Sequence, residues 1–235
     1  MCGCSVTGQQ DRSENRLAPI ICQFCHQKLP SQVNGCAVCA LPIKQNESGK
    51  LLENNKDLIC GECIKQSPPF DKTVAAFHYE PPISDFITQY KFNAQLELLP
   101  LLSDYLAKNI QSHYQNKAMP KLLIPVPLHK HKLVKRGFNQ SQLIAKRLSK
   151  GFGIPVSGNH IQRSKETRPQ MELDSNERQQ NLKDAFQISQ QLPSHIAIID
   201  DVVTTGTTVT ELAKQAKSHG ATTIDIWCLA RAFEF

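Results

Sequence analysis

The residues best placed to do chemistry in this 235-residue chain stand in the stretch IAIIDDVVTTGTTVTELAKQAKSHG, residues 196–220. An apolar run, HIAIID (195–200), reads as a buried strand and delivers two adjacent carboxylates, Asp200 and Asp201. Two valines follow, then Thr204, Thr205, Gly206, Thr207 and Thr208, then a helical pattern. Ligands of open α/β sheets sit at the carboxyl ends of strands. A glycine-containing turn that opens a helix points backbone N–H groups at one spot, which suits a phosphate. The four threonine hydroxyls add donors, and Gly206 admits close backbone approach. No lysine follows the glycine and two acids precede the loop, so this is not a P-loop. Acids beside a phosphate cradle call for a ligand that also carries hydroxyls or a divalent cation. Capping threonines or strand-end acids are each ordinary alone; in this order they point to ligand binding.

A second chemistry lies near the start of the chain. Six of the nine cysteines form three Cys-x-x-Cys pairs, Cys22/Cys25, Cys36/Cys39 and Cys60/Cys63. With no secretory signal in MCGCSVTGQQDRSENR, such pairs read as metal ligands before disulfides. Their spacing is that of a zinc ribbon. One complete four-thiolate site is expected, with two thiols spare or completed by His26; the sequence does not say which pairs combine. No water-activating carboxylate stands among them, so the zinc would be structural. Cys228, inside an apolar run, reads as a small buried residue.

The formal net charge is +6, and the basic excess is concentrated in residues 120–183. That segment calls for an anionic partner, phosphates or nucleic acid. Aromatic residues are only 6% of the chain, too sparse for a clear base-stacking platform. No apolar run approaches the ~18 residues of a membrane span. The chain is expected to stay in the cytoplasm where it is made.

These groups need elements to position them. Residues 1–20 are polar and expected to be disordered; 21–66 form the cysteine module; KQSPPFD (65–71) reads as an extended linker; and 73–235 form an α/β domain. TVAAFHY, KLLIPVP, HIAIID and TTIDIWCLARAF read as strands and HIQRS as a further short one, with 164–176 as loop. ISDFITQYKF and LELLPLLSDYLAKNI read as helices, Pro100 starting or kinking the second. Ser141, Ile144, Ala145 and Leu148 mark one helical face, and Val209, Leu212, Ala213 and Ala216 another that ends at Gly220. Strands alternating with helices predict a largely parallel sheet covered on both faces.

The segment 196–208 resembles the signature of type I phosphoribosyltransferases: apolar residues, two acids, two apolar residues, then Thr-Thr-Gly-x-Thr. IPVPLHKHKLVKRGFNQSQLIA (124–145) stands where that family has its pyrophosphate loop, and RSKETRPQMELDSNERQQNLKDAF (163–186) where it has its flexible catalytic loop. With paired cysteines in front, residues 22–233 resemble the ComF/GntX group. The resemblance implies a mostly parallel sheet flanked by helices, with a small N-terminal zinc-ribbon module. It implies binding of phosphoribosyl pyrophosphate or a related nucleotide with magnesium. Asp200 and Asp201 would address the ribose, 204–208 the 5′-phosphate, and Lys135 and Arg136 the pyrophosphate. Lys165 and Arg168 would close over the site. Members of the group are linked to natural competence and use of DNA, so the alternatives to a transferase are a ligand-binding regulator and a factor associated with single-stranded DNA or competence proteins.

Overall fold

The computed structural model describes residues 23–32, 35–43, 58–92, 95–158, 161–164 and 185–233. The extension 1–20 lies outside them. Four strands, β1 (Lys72–His78), β2 (Leu122–Pro125), β5 (His195–Val203) and β6 (Thr223–Arg231), form a parallel sheet in the order β1-β6-β5-β2. The expected α/β class is therefore the observed one. β3 (Ile161–Arg163) does not join this sheet; it pairs antiparallel with β4 (Phe186–Ile188). β4 falls at the end of the stretch expected to be catalytic loop, a difference that the short apolar alternation Phe186–Ile188 explains.

Side-chain alternation along each strand builds two cores. Ala197, Ile199, Trp227 and Leu229 join Val74 and Ala76 on one face, covered by α4 (Leu98–His113) and α6 (Gln140–Phe152). Ile196, Ile198, Ile224, Ile226 and Cys228 face the other way, under α7 (Thr207–Ser218) and the β3–β4 ribbon. The two expected helical faces are buried as read, on α6 and α7. Pro100 sits in the first turn of α4, where its missing N–H has no intrahelical partner to lose. α5 (Lys130–Arg136) is a short helix in the segment read as a pyrophosphate loop. No helix among the described residues is long and apolar enough to cross a membrane.

The cysteine module, with α1 (Gln23–Gln27) and α2 (Gly61–Lys65), docks along the free edge of β1. Gln32 N–H donates to Ala76 O at 3.0 Å and His78 N–H to Pro30 O at 2.8 Å. The connecting segment is tied down at its end: Phe70 is buried, and Asp71 exchanges bonds with Ile224 through its N–H (2.8 Å) and Oδ2 (2.7 Å). α3 (Ile83–Phe92) then carries the chain to the carboxyl end of the sheet.

At the opposite end, Asp225 on β6 is wholly buried. His195 Nε2 lies 2.7 Å from its Oδ2, and Tyr114 Oη donates to the same oxygen. Trp227 Nε1 donates to Tyr114 Oη at 3.3 Å, and Lys72 Nζ stands 4.5 Å from the Tyr114 ring centre. This network pins the end of α4 to β5 and β6. Removing one donor leaves a buried carboxylate under-satisfied, so Tyr114→Phe should lower stability by about 1–3 kcal/mol in urea unfolding. A loss well below that range would mean the network does not hold the helix.

Candidate active site

β5 does not stop at the acids, as the sequence reading had it. It continues to Val203 because Val202 and Val203 pair with Ala230 and Arg231 of β6. Asp200 and Asp201 thus lie within the paired length of β5 rather than beyond its end. Asp201 is buried, and Lys91 at the end of α3 places Nζ 2.9 Å from its Oδ1. Val202 N–H donates to that oxygen at 2.6 Å. Asp200 Oδ1 accepts from Ser141 Oγ of α6 at 3.1 Å and from Asp201 N–H at 2.9 Å. The site is therefore assembled from β5, α3 and α6.

Electrostatics follow from this packing. Burial, then the Asp201 charge, pushes the Asp200 carboxyl up to about 7, against the pull of Lys91, the Asp201 amide and Ser141. Burial works against the charge on Lys91, but Asp201 and Asp200 more than offset it and raise its affinity for the proton. Burial lowers the Arg163 guanidinium on β3, with Asp200 opposing. Tyr90 is raised by burial and by Asp201. The acid pair is thus an environment that already holds one internal cation.

The turn after β5 has the expected form. Gly206 caps α7 at φ +78, in the left-handed region that favours glycine. A Cβ there would meet only Val203 Cγ1 at 4.0 Å, so backbone conformation rather than space requires the glycine. Gly206 offers the helix no side-chain acceptor; Thr205 Oγ1 accepts instead from Thr207 N–H at 3.4 Å and lies 2.8 Å from Thr207 Oγ1. Thr204 and Thr205 are exposed, and Thr207 and Thr208 partly so. Donors at the start of a twelve-residue helix can receive an anionic group here.

Of the basic residues, Arg136 is tied into the site. Its Nη1 donates to Gln140 Oε1 at 3.3 Å, Gln140 Nε2 donates to Lys91 O at 3.3 Å, and its guanidinium lies 5.0 Å from the Phe92 ring centre. Lys135 is exposed on α5. Lys165 and Arg168 lie outside the described residues. Lys91, Ser141 and Arg163 are the site residues that sequence reasoning missed. Lys91 had a signal: with Ile83, Phe86, Ile87 and Tyr90 buried, it is a charge in the register of an apolar helical face.

The cysteines resolve into one cluster. Sulfurs of Cys36, Cys39, Cys60 and Cys63 all lie within 4.8 Å of one another. Cys25 sits apart, on α1 against the main core, and Cys22 lies outside the described residues. His26 is not in the cluster either; its ring packs 5.3 Å from that of Tyr105. Burial pushes the Cys39 thiol up to about 11 and also raises Cys63, while Cys36 is drawn to about 7 by nearby N–H groups despite its burial. Four sulfurs this close together can bind a metal such as zinc, which would hold the thiols deprotonated.

The raised Asp200 gives a pH test. Between about pH 4 and 7 the native chain keeps a proton that the unfolded chain has released, so unfolding free energy should fall as pH rises through that window. Asp200→Asn should flatten the slope and, at pH 8, stabilise the chain by at least about 1 kcal/mol, the equivalent of less than one pKa unit. Urea midpoints at several pH values measure this; an unchanged slope would contradict the upward shift of the Asp200 carboxyl.

Scanned against models of protein families, the chain matches none. Among curated proteins it is 35% identical over 222 residues to Competence protein F of Haemophilus influenzae, spanning 90% of this chain and 96% of that protein. It is 32% identical over 214 residues to DNA utilization protein YhgH of Salmonella typhi, 90% of each. It is 24% identical over 158 residues to Competence protein ComFC of Streptococcus pneumoniae, 67% of each. Among solved structures, a purine phosphoribosyltransferase from Pyrococcus horikoshii matches with TM-score 0.34 and 22% identity over 57% of this chain and 72% of that one, a likeness too loose to bear on function. Similarity above 30% along nine-tenths of the sequence, with the acid pair, the glycine turn and the cysteine pairs in the expected order, places the chain in the ComF/GntX family of competence and DNA-utilization proteins.

Proposed function

We propose that this protein binds phosphoribosyl pyrophosphate, or a related ribose 5-phosphate nucleotide, with magnesium at the carboxyl end of β5, as a phosphoribosyltransferase-like protein serving competence or the use of DNA. One observation carries the proposal: two carboxylates held in the paired length of β5 are separated by only four residues from the left-handed Gly206 that opens α7. Ribose hydroxyls would donate to Asp200 and Asp201, and the 5′-phosphate would take N–H and hydroxyl donors from 204–208. Lys135 and Arg136 would meet the pyrophosphate. The acid pair fits a cation, since it already engages the Lys91 ammonium. Magnesium, when bound with the ligand, would neutralise pyrophosphate charge. If transfer occurs, positive charge develops at the anomeric carbon, and fixed carboxylates nearby stabilise it without reorganising. The cysteine cluster is assigned a structural zinc.

Calorimetry with phosphoribosyl pyrophosphate and magnesium is the test. The parent should bind, and the double variant Asp200→Asn/Asp201→Asn should lose magnesium-dependent binding by roughly tenfold or more. Gly206→Val, which forces a β-branched residue to positive φ, should weaken binding of the 5′-phosphate. Equal affinity in parent and variants would move the site elsewhere. Pyrophosphate release against a panel of bases then separates a transferase from a regulator that only binds.

Elemental analysis should find about one zinc per chain, ligated by sulfur. Cys60→Ser should reduce both zinc content and soluble yield, because metal binding here contributes folding energy. Reduced, intact protein free of zinc would remove this assignment.

A further inference from the structure

Arg231, the last residue of β6, is only 4% exposed, and among the described residues it makes no ion pair. Its guanidinium is spent on main-chain carbonyls from two different parts of the chain. Nε donates to Cys39 O at 2.9 Å. Nη1 donates to Val203 O at 2.9 Å, to Ala232 O at 2.6 Å and to Thr204 O. One side of the group therefore grips the turn that carries a cluster cysteine, and the other grips Val203 and Thr204, the second and third residues after Asp201. Ala232 N–H donates back to Val203 O at 2.9 Å, closing the junction.

A buried guanidinium needs counter-charge, and carbonyl dipoles supply only part of it. Four thiolates around one divalent ion leave a net charge of about −2. The loaded cluster, whose Cys39 is bonded to this side chain, is thus the natural counter-ion. Ala40, next to Cys39, packs into the same core as Val203 and Val209, so the cysteine turn and the start of α7 share one packed surface.

We propose that Arg231 is a positioning residue that makes the shape of the Val203–Thr204 turn depend on metal in the cysteine cluster. Loading the cluster holds the Cys39 turn and balances the guanidinium; emptying it releases both and loosens the turn that opens α7. The consequence for ligand rests on the function proposed above, but the coupling itself does not.

Amide hydrogen exchange by mass spectrometry tests the coupling on the full chain, zinc-loaded or stripped with a chelator under reducing conditions. Stripping the parent should speed exchange in peptides covering 203–210 and 230–233 by roughly tenfold, while 122–126 and 195–200 stay protected. Arg231→Gln should show the fast exchange with zinc still bound and no further change on stripping; Arg231→Lys, keeping the charge, should fall between. Unchanged exchange on stripping would overturn the proposal, and this arm needs no variant to fold. Equal increments in parent and Arg231→Gln would overturn it, as would loss of protection spread evenly over β2 and β5. Phosphoribosyl pyrophosphate affinity measured on the same samples stands apart: coupling without any parent binding keeps this proposal and removes the functional one.

Discussion

β5 lies parallel to β6 from His195 opposite Thr223 to Val203 opposite Arg231, and both strands are covered on both faces. That nine-residue register fixes which polar groups meet at each end of the sheet. At the amino end it sets His195 beside Asp225. At the carboxyl end it carries Asp200 and Asp201 into the ladder and sets Arg231 opposite Val203. A slip of one residue would turn Asp225 and Arg231 to the wrong faces and leave buried charges without partners, a loss far larger than any single contact here. The apolar alternation that drives the sheet together therefore also aligns the site.

Polar groups inside such a sheet oppose folding unless each is satisfied. Asp225 Oδ2 is served by Tyr114 and His195 while its Oδ1 has no hydrogen-bond partner among the described residues, and Arg231 is served by carbonyls at the junction with the cysteine module. The acid pair carries a different strain. Lys91 balances Asp201, yet Asp200 still holds its proton to about pH 7 because burial and its neighbour's charge outweigh Ser141 and the amide. Two adjacent acids are not what stability alone would select at this position. Stability lost at such a pair is the compromise that the binding role proposed for it would require.

Much of this was legible in the sequence, for identifiable reasons. Parallel strands buried on both faces show as unbroken apolar runs, so all four sheet strands could be read, and 3.6-residue spacing marked α6 and α7. The glycine turn was legible because few residues accept its backbone conformation. Three things were not. The end of β5 was misjudged because acids look like a strand terminus, whereas pairing with β6 carries the strand past them. The make-up of the cysteine cluster depends on which pairs meet in space, and spacing alone could not favour Cys36, Cys39, Cys60 and Cys63 over a set with Cys22 and Cys25. Lys91 and Arg231 act across long sequence separations, on Asp201 and Cys39. Each nevertheless left a trace, as did Asp225: a single charge in an otherwise apolar register of helix or strand.

Those three interruptions share a logic that bears on how the site works. Asp225 belongs to the amino end of the sheet, and its partners are the side chains of Tyr114 and His195. Arg231 and Lys91 stand at the other end and reach outward, one to the cysteine module and one to the acid pair. α3, which carries Lys91, follows the strand against which that module docks. The carboxyl end of β5 is thus bounded by segments that precede the central strands in sequence, and its charge balance is set by them. A cation or hydroxyl-bearing ligand arriving at Asp200 and Asp201 must share those oxygens with Lys91 or displace it, and displacement would leave that ammonium free to meet an incoming anion. The internal lysine keeps Asp201 paired within the fold, and in so doing sets the charge pattern that the ligand proposed for this site would have to match.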